Sequence, residues 1–219
     1  LANEHQVYLC EAARNYQEAA VQVVKNVLSN QEILGANFTF AKYSSKLPAL
    51  LAGEMPNIFS DVYAGGALMD LGVYCLYLAI GFFGEPISSY YTAQQLPNSL
   101  YLYGQGVLIY PDFQVAIQTG KNITSHLPAE IYTKTGTLTL NAVTAINQAR
   151  FVSHSGEVID LPIQPCPHQM QEEAEAFSLA IAHQKPSAYL EWLQTAEQVH
   201  KTLYQMRQSA GIQFKDEKE

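Results

Sequence analysis

The sequence predicts an α+β fold: an open, mostly antiparallel mixed sheet with helices packed on one face. Three observations carry this. Apolar residues recur at three- and four-residue steps near the N-terminus and again over residues 170–206. Between those regions, over residues 87–160, the period switches to two and turn residues punctuate the chain. A third region, residues 62–84, is almost wholly apolar. Its length suits a membrane span, but Asp70 lies inside it, four glycines interrupt it, and no Lys or Arg flanks it, so it reads as a buried helix.

The elements follow in order. Val7-Tyr8-Leu9 is a short β-like run. Ala13, Tyr16, Ala20, Val23, Val24, Val27 and Leu28 then mark a helix that ends before Gly35. Phe38 and Phe40 alternate with polar residues and predict a strand over about 36–43. Residues 44–61 carry Pro48, Gly53 and Pro56 and read as a long loop, of the kind that is often functional. The apolar helix, 66–83, stops at Gly84-Glu85-Pro86. Strands are expected over 87–95, 100–110, 114–119, 129–133, 136–140, 149–153 and 157–160, with turns at Pro111-Asp112, Gly120-Lys121-Asn122 and Ser155-Gly156. Met170, Ala174, Phe177 and Ile181 mark a penultimate helix, and Leu190, Leu193, Val199, Leu203 and Met206 the last, divided by Pro186 and closed by Gly211. The charged tail, 214–219, is expected to fray.

Composition bounds the function. At 219 residues the chain is one large domain or two small ones. It is 48% hydrophobic, which excludes bulk disorder, and only 15% charged, against a usual level of about 25%. So few charges imply much covered surface. The strands carry apolar and aromatic residues on both parities, as in Tyr101-Leu102-Tyr103 and Val107-Leu108-Ile109-Tyr110. The second sheet face is therefore either a homodimer surface or covered by the chain's own loops or helices. The net charge of −8 and the lack of any basic run argue against a nucleic-acid partner. Cys10, Cys75 and Cys166 are odd in number and widely spaced, which favours a reducing, cytoplasmic setting over a disulfide framework. The lone Cys166-x-His168 reads as structural, and no metal is expected.

Stand-alone catalytic signatures such as GxSxG and HExxH are missing. Gly104-Gln105-Gly106 is a GxG with Ile109 where a third glycine belongs, and a strand follows it, so no dinucleotide site is expected in this chain. The informative block is Gly65-Gly66-Ala67-Leu68-Met69-Asp70-Leu71-Gly72-Val73-Tyr74. Two glycines allow a tight approach to a helix, and Asp70 and Tyr74, four apart, share a helical face. A carboxylate and a phenol on an apolar helix are costly unless hydrogen-bonded or used. From the residues alone, Asp70 either caps the helix or does chemistry, and Tyr74 either packs or acts as a general acid/base beside a cation.

This block, followed by Gly84-Glu85-Pro86, resembles the signature of the glucose–fructose oxidoreductase / inositol dehydrogenase (Gfo/Idh/MocA) family. Glu11-Ala12-Ala13, Ile33-Leu34-Gly35, the hairpin from Ala129 to Leu138 and the segment from Glu172 to Gly211 resemble further family segments in the same order, over nearly the whole chain. Tyr at 74, in place of His, is closest to the glucose–fructose oxidoreductase and dimeric dihydrodiol dehydrogenase branches, while Ala64-Gly65-Gly66 is one glycine short of the family triple. The resemblance implies the substrate-binding and oligomerisation domain of a nicotinamide-dependent oxidoreductase, spanning 13–213, with residues 1–12 as the edge of an N-terminal Rossmann domain. That domain, expected in cis and not found in this sequence, would bind NAD or NADP and supply the lysine of a Glu-Lys-Pro motif. The fragment would be inactive alone. Asp70 would be the catalytic aspartate and Tyr74 the acid/base, acting on a sugar, polyol or diol. Lys121, His126, Phe59 and Tyr63 are candidate substrate contacts. The rival reading is a non-catalytic scaffold or binding domain of the same fold that dimerises through its sheet.

Overall fold

The computed structural model describes residues 1–219 apart from 3, 6, 97–99, 183–185, 218 and 219. Five helices and eight strands form its frame among the described residues: α1 Ala19–Leu28, β1 Ile33–Ala41, α2 Leu47–Leu51, α3 Val73–Phe83, β2 Ser88–Gln95, β3 Tyr101–Ile109, β4 Gln114–Gly120, β5 Ala129–Thr133, β6 Gly136–Leu140, β7 Ala149–Ser153, β8 Val158–Asp160, α4 Gln171–Ala182 and α5 Pro186–Ser209. The strands make one sheet in the order β2-β3-β4-β1-β5-β6-β7-β8. All neighbours are antiparallel except β1 and β4, which run parallel because α3 and the hairpin β2–β3 lie between them in sequence.

Period two decides which side of the sheet is buried. One row across the strands reads Leu108, Val115, Ala36, Ile131, Leu138 and Phe151, paired in register. The first five of these are buried and Phe151 is half-buried against the core. The helices cover this face: α3 packs on β1 and on α5, and α5 also lies over β2. Burying each Leu of α3, Leu76 and Leu78, contributes about 1.5–3 kcal/mol. The opposite parity carries Tyr90, Gln105, Val107, Ala116, Gln118 and Thr137, half-buried or exposed, with no helix over it among the described residues.

The α+β class and all eight strands match the sequence expectation to within a few residues; the local departures have physical causes. Val7–Leu9 joins no strand ladder among the described residues; instead Tyr8 sets its ring edge-on to Tyr189 at 4.9 Å. The first helix starts at Ala19, not at residue 13, because the polar side chains before it are drawn into tertiary bonds. Asn15 Nδ2 donates to the Tyr74 and Val143 carbonyls, and Glu18 accepts from the Ile146 amide. The expected loop over 44–61 contains α2, with Pro48 in its first turn, and 3-10 turns at Asn57–Phe59 and Asp61–Tyr63. The tail is not frayed through residue 217: buried Arg207 holds Glu217 by two bonds of 2.7 and 2.8 Å and stacks on the Phe214 ring. That pairing pulls the Glu217 carboxyl down to about 2. Residues 218 and 219 of the tail, and 183–185 at the junction before Pro186, lie outside the described residues. The 61–83 stretch is long and apolar enough for a span, yet 75–80 are all buried inside the fold.

Candidate active site

The parallel pair creates the place where a site forms. In an antiparallel sheet one strand arrives where its neighbour leaves; β1 and β4 leave together at one edge. Their outgoing segments are laced to each other. The Lys42 amide donates to the Gly120 carbonyl and the Ser44 amide to the Lys121 carbonyl, both at 2.9 Å. The Ser125 amide donates to Ala41, and the Tyr43 amide to the Thr124 hydroxyl at 3.2 Å.

The diglycine turn brings the helix layer onto this edge. Gly66 has φ +127°, and a Cβ there would fall 2.2 Å from the Tyr101 ring, so neither conformation nor space admits another residue. The helix that follows is not regular. Leu68–Gly72 form a π turn before α3 begins at Val73. Gly72 lets this turn press on β4: a Cβ would sit 3.3 Å from Thr119 and 2.8 Å from the Leu68 side chain. A π turn inserts an extra residue into the helical repeat, and such turns recur at functional sites.

Asp70 lies in that turn and forms an ion pair with Lys121, the residue after β4. The pair is lopsided: the Lys121 side chain is 3% exposed and that of Asp70 47%. The ammonium also lies 5.6 Å from the centre of the Phe59 ring. Tyr74 is half-buried, edge-on to Phe40 at 5.3 Å and beneath the Arg14 guanidinium at 5.6 Å. Among the described residues no hydrogen bond joins Asp70 to Tyr74. They stand as two charged stations on one helix start: a carboxylate with Lys121 and a phenol with Arg14.

The other expected site residues scatter. Phe59 is buried under Lys121 and borders a small pocket of about 140 Å³ with Tyr101 and Phe214. Tyr63 is 64% exposed and joins neither station. His126 is exposed and lines a different cleft. Cys166 donates its thiol to the His168 carbonyl at 3.4 Å, a turn contact. Arg14 and Asn15 were missed by the sequence reading; they sit among other polar residues, Gln17 and Glu18, and no local signal sets them apart. Behind Arg14, burial pushes the Glu18 carboxyl up to about 7, against the lowering effect of its bond from Ile146. Burial likewise raises the phenol of Tyr101 beneath the diglycine turn.

The GxG at Gly104-Gln105-Gly106 is not a dinucleotide turn. Gly104 and Gly106 sit in mid-β3, where Tyr91 and Met206 fill the space over them. A phosphate cradle needs a glycine turn opening a helix N-terminus.

No family model matches the chain. It is 32% identical over 181 residues to a protein described as the uncharacterized oxidoreductase YgjR of Escherichia coli K12, covering 82% of this chain and 55% of the relative. It is 27% identical over 176 residues to the scyllo-inositol 2-dehydrogenase (NADP(+)) IolU of Bacillus subtilis 168, covering 80% and 54%. The chain thus spans about half the length of the curated relatives it matches. Among solved structures, the 3-ketoreductase KijD10 of Actinomadura kijaniata, in complex with NADP and TDP-benzene, superposes with a TM-score of 0.75 at 21% identity, over 95% of this chain and 64% of that one. By sequence the chain is a relative of oxidoreductases, and its fold is that of the matching part of a ketoreductase.

Proposed function

We propose that this chain is the substrate-binding part of a Gfo/Idh/MocA-type oxidoreductase, acting between hydroxyl and carbonyl on a sugar, polyol or diol. The observation that carries the reading is the juxtaposition at the start of α3, where Asp70 meets Lys121 and Tyr74 lies under Arg14. A phenol whose ring lies under a cation can take and return the proton of a substrate hydroxyl. Asp70, tied on one side and open on the other, can accept a bond from that substrate or from a residue of another domain. The dehydrogenase description of IolU supports a hydroxyl-bearing substrate. Hydride exchange would belong to NAD or NADP held by residues outside this chain, on a Rossmann domain in cis, so the chain alone is expected to be inactive. We further propose a cytoplasmic location and assembly as a homodimer through the uncovered sheet face.

The test is Tyr74→Phe in the full-length protein with NADPH and candidate ketoses or inosoles. Loss of about 10²–10⁴-fold in kcat, with cofactor affinity retained, is expected for an acid/base residue. Unchanged turnover, or no turnover in the parent with any such substrate, favours a scaffold of the same fold.

A further inference from the structure

A second cleft opens at the same strand edge. It encloses about 400 Å³ and is lined by Thr39, Lys42, Thr124, Ser125, His126 and Thr144, among others. No aspartate or glutamate lines it, although the chain has 20 acidic residues against 12 basic ones. Lys42 makes no ion pair among the described residues, unlike Lys25, Lys121, Lys134 and Lys201. Thr39 is 8% exposed, and its buried hydroxyl has no hydrogen-bond partner among the described residues. Thr124 and Ser125 already accept backbone N–H bonds, from Tyr43 and Leu127, which fixes their oxygens and leaves their O–H protons to be donated. A free ammonium, an imidazole and several hydroxyl donors, without a carboxylate, match an oxyanion rather than a neutral or cationic group.

The cleft connects to the candidate active site through the chain. Phe40 borders it and touches Tyr74 edge-on, and the segment beginning at Lys121 supplies Thr124, Ser125 and His126. We infer that this cleft is a subsite for an anionic group, phosphate or carboxylate, at the end of the substrate remote from the reacting carbon. The substrate is thereby an acidic or phosphorylated sugar or polyol. This rests on the proposed function for the word substrate, but not for the binding itself.

The test is binding to the 219-residue chain, which has its own extensive core, so it needs no turnover. Inorganic phosphate, glucose 6-phosphate and glucose are titrated at constant ionic strength, following the His126 ring and the 124–127 amides by NMR. The expected result is saturable shifts with phosphate and at least equal affinity for glucose 6-phosphate, none with glucose, and affinity five-fold or more weaker in Lys42→Met and in His126→Asn. No saturable shift with either anion, equal shifts with glucose, or undiminished binding in both variants would overturn the oxyanion site. Phosphate binding with glucose 6-phosphate excluded would overturn its role as a substrate subsite. If the anions bind as expected but the full-length protein lacks redox turnover, the proposed function fails and the site stands.

Discussion

The Asp70–Lys121 pair makes two opposite truncations unequal. Lys121 is buried and Asp70 half-exposed. Asp70→Ala strands an ammonium where water cannot reach it, at a cost of about 3–5 kcal/mol, whereas Lys121→Met leaves a carboxylate that water can solvate, at a cost of about 1 kcal/mol. Chemical denaturation of both variants checks the order; equal losses would mean that the ammonium is not confined as described. Activity lost on replacing Asp70 therefore counts as chemistry only when measured on folded protein. Glu18 gives a pH signature. Its folded carboxyl titrates at about 7 against 4.5 for the free group, through burial opposed by the Ile146 bond, with Glu172 adding to the rise and Arg14 opposing it. Between those values the folded state holds the extra proton, so stability contributed at low pH is lost as pH rises toward 7 and above. Glu18→Gln keeps an acceptor for Ile146 and should match the parent at pH 4.5, exceed it in melting temperature at pH 8, and flatten the slope between. A parallel pH profile would contradict this. Asp70, Tyr74 and Lys121 were readable because polar residues at glycine-marked points stand out. That Lys121 belongs to Asp70 was not readable, since residues 51 apart in sequence meet only through the sheet.

At the scale of elements, the diglycine turn is the least tolerant part of the site. Gly66→Ala adds a Cβ against the Tyr101 ring at a φ that side chains avoid, and should destabilise the protein by about 3 kcal/mol. Thermal denaturation decides this, and a shift under a degree would show that the turn can relax. Strands were legible because period two survives local noise, and the stop at Gly84 was legible from glycine and proline. The π turn was not. It packs on β4, with Gly72 close to Thr119, an approach no local pattern encodes. The short helix α2 was hidden for the reverse reason: Pro48 breaks a helix interior but is welcome in a first turn, so one residue served two readings. The tail was misjudged because its charge invites solvation, while its partner Arg207 lies on α5 and is buried.

Over the whole molecule, one sheet face is occupied by helices and the other is a lightly charged field of Tyr, Gln, Thr, Ala and Val, bounded by Glu130, Arg150 and Asp160. Composition pointed to such a face but could not name what covers it. If it joins two copies, Val107→Lys with Tyr90→Asp should convert a dimer to a monomer in light scattering with an unchanged circular dichroism spectrum; a parent that is already monomeric would sink the idea. The single parallel pairing also has a kinetic consequence. Between β1 and β4 the intervening residues 42–113 form α3 and the hairpin β2–β3 and return across the sheet. Contacts of such high sequence separation are slow to form and late to be rewarded. Asp70 rides on that returning segment and Lys121 follows β4, so the ion pair is closed by the packing of the π turn on β4. Neither the hairpin β2–β3 nor the helix layer alone therefore holds the pair.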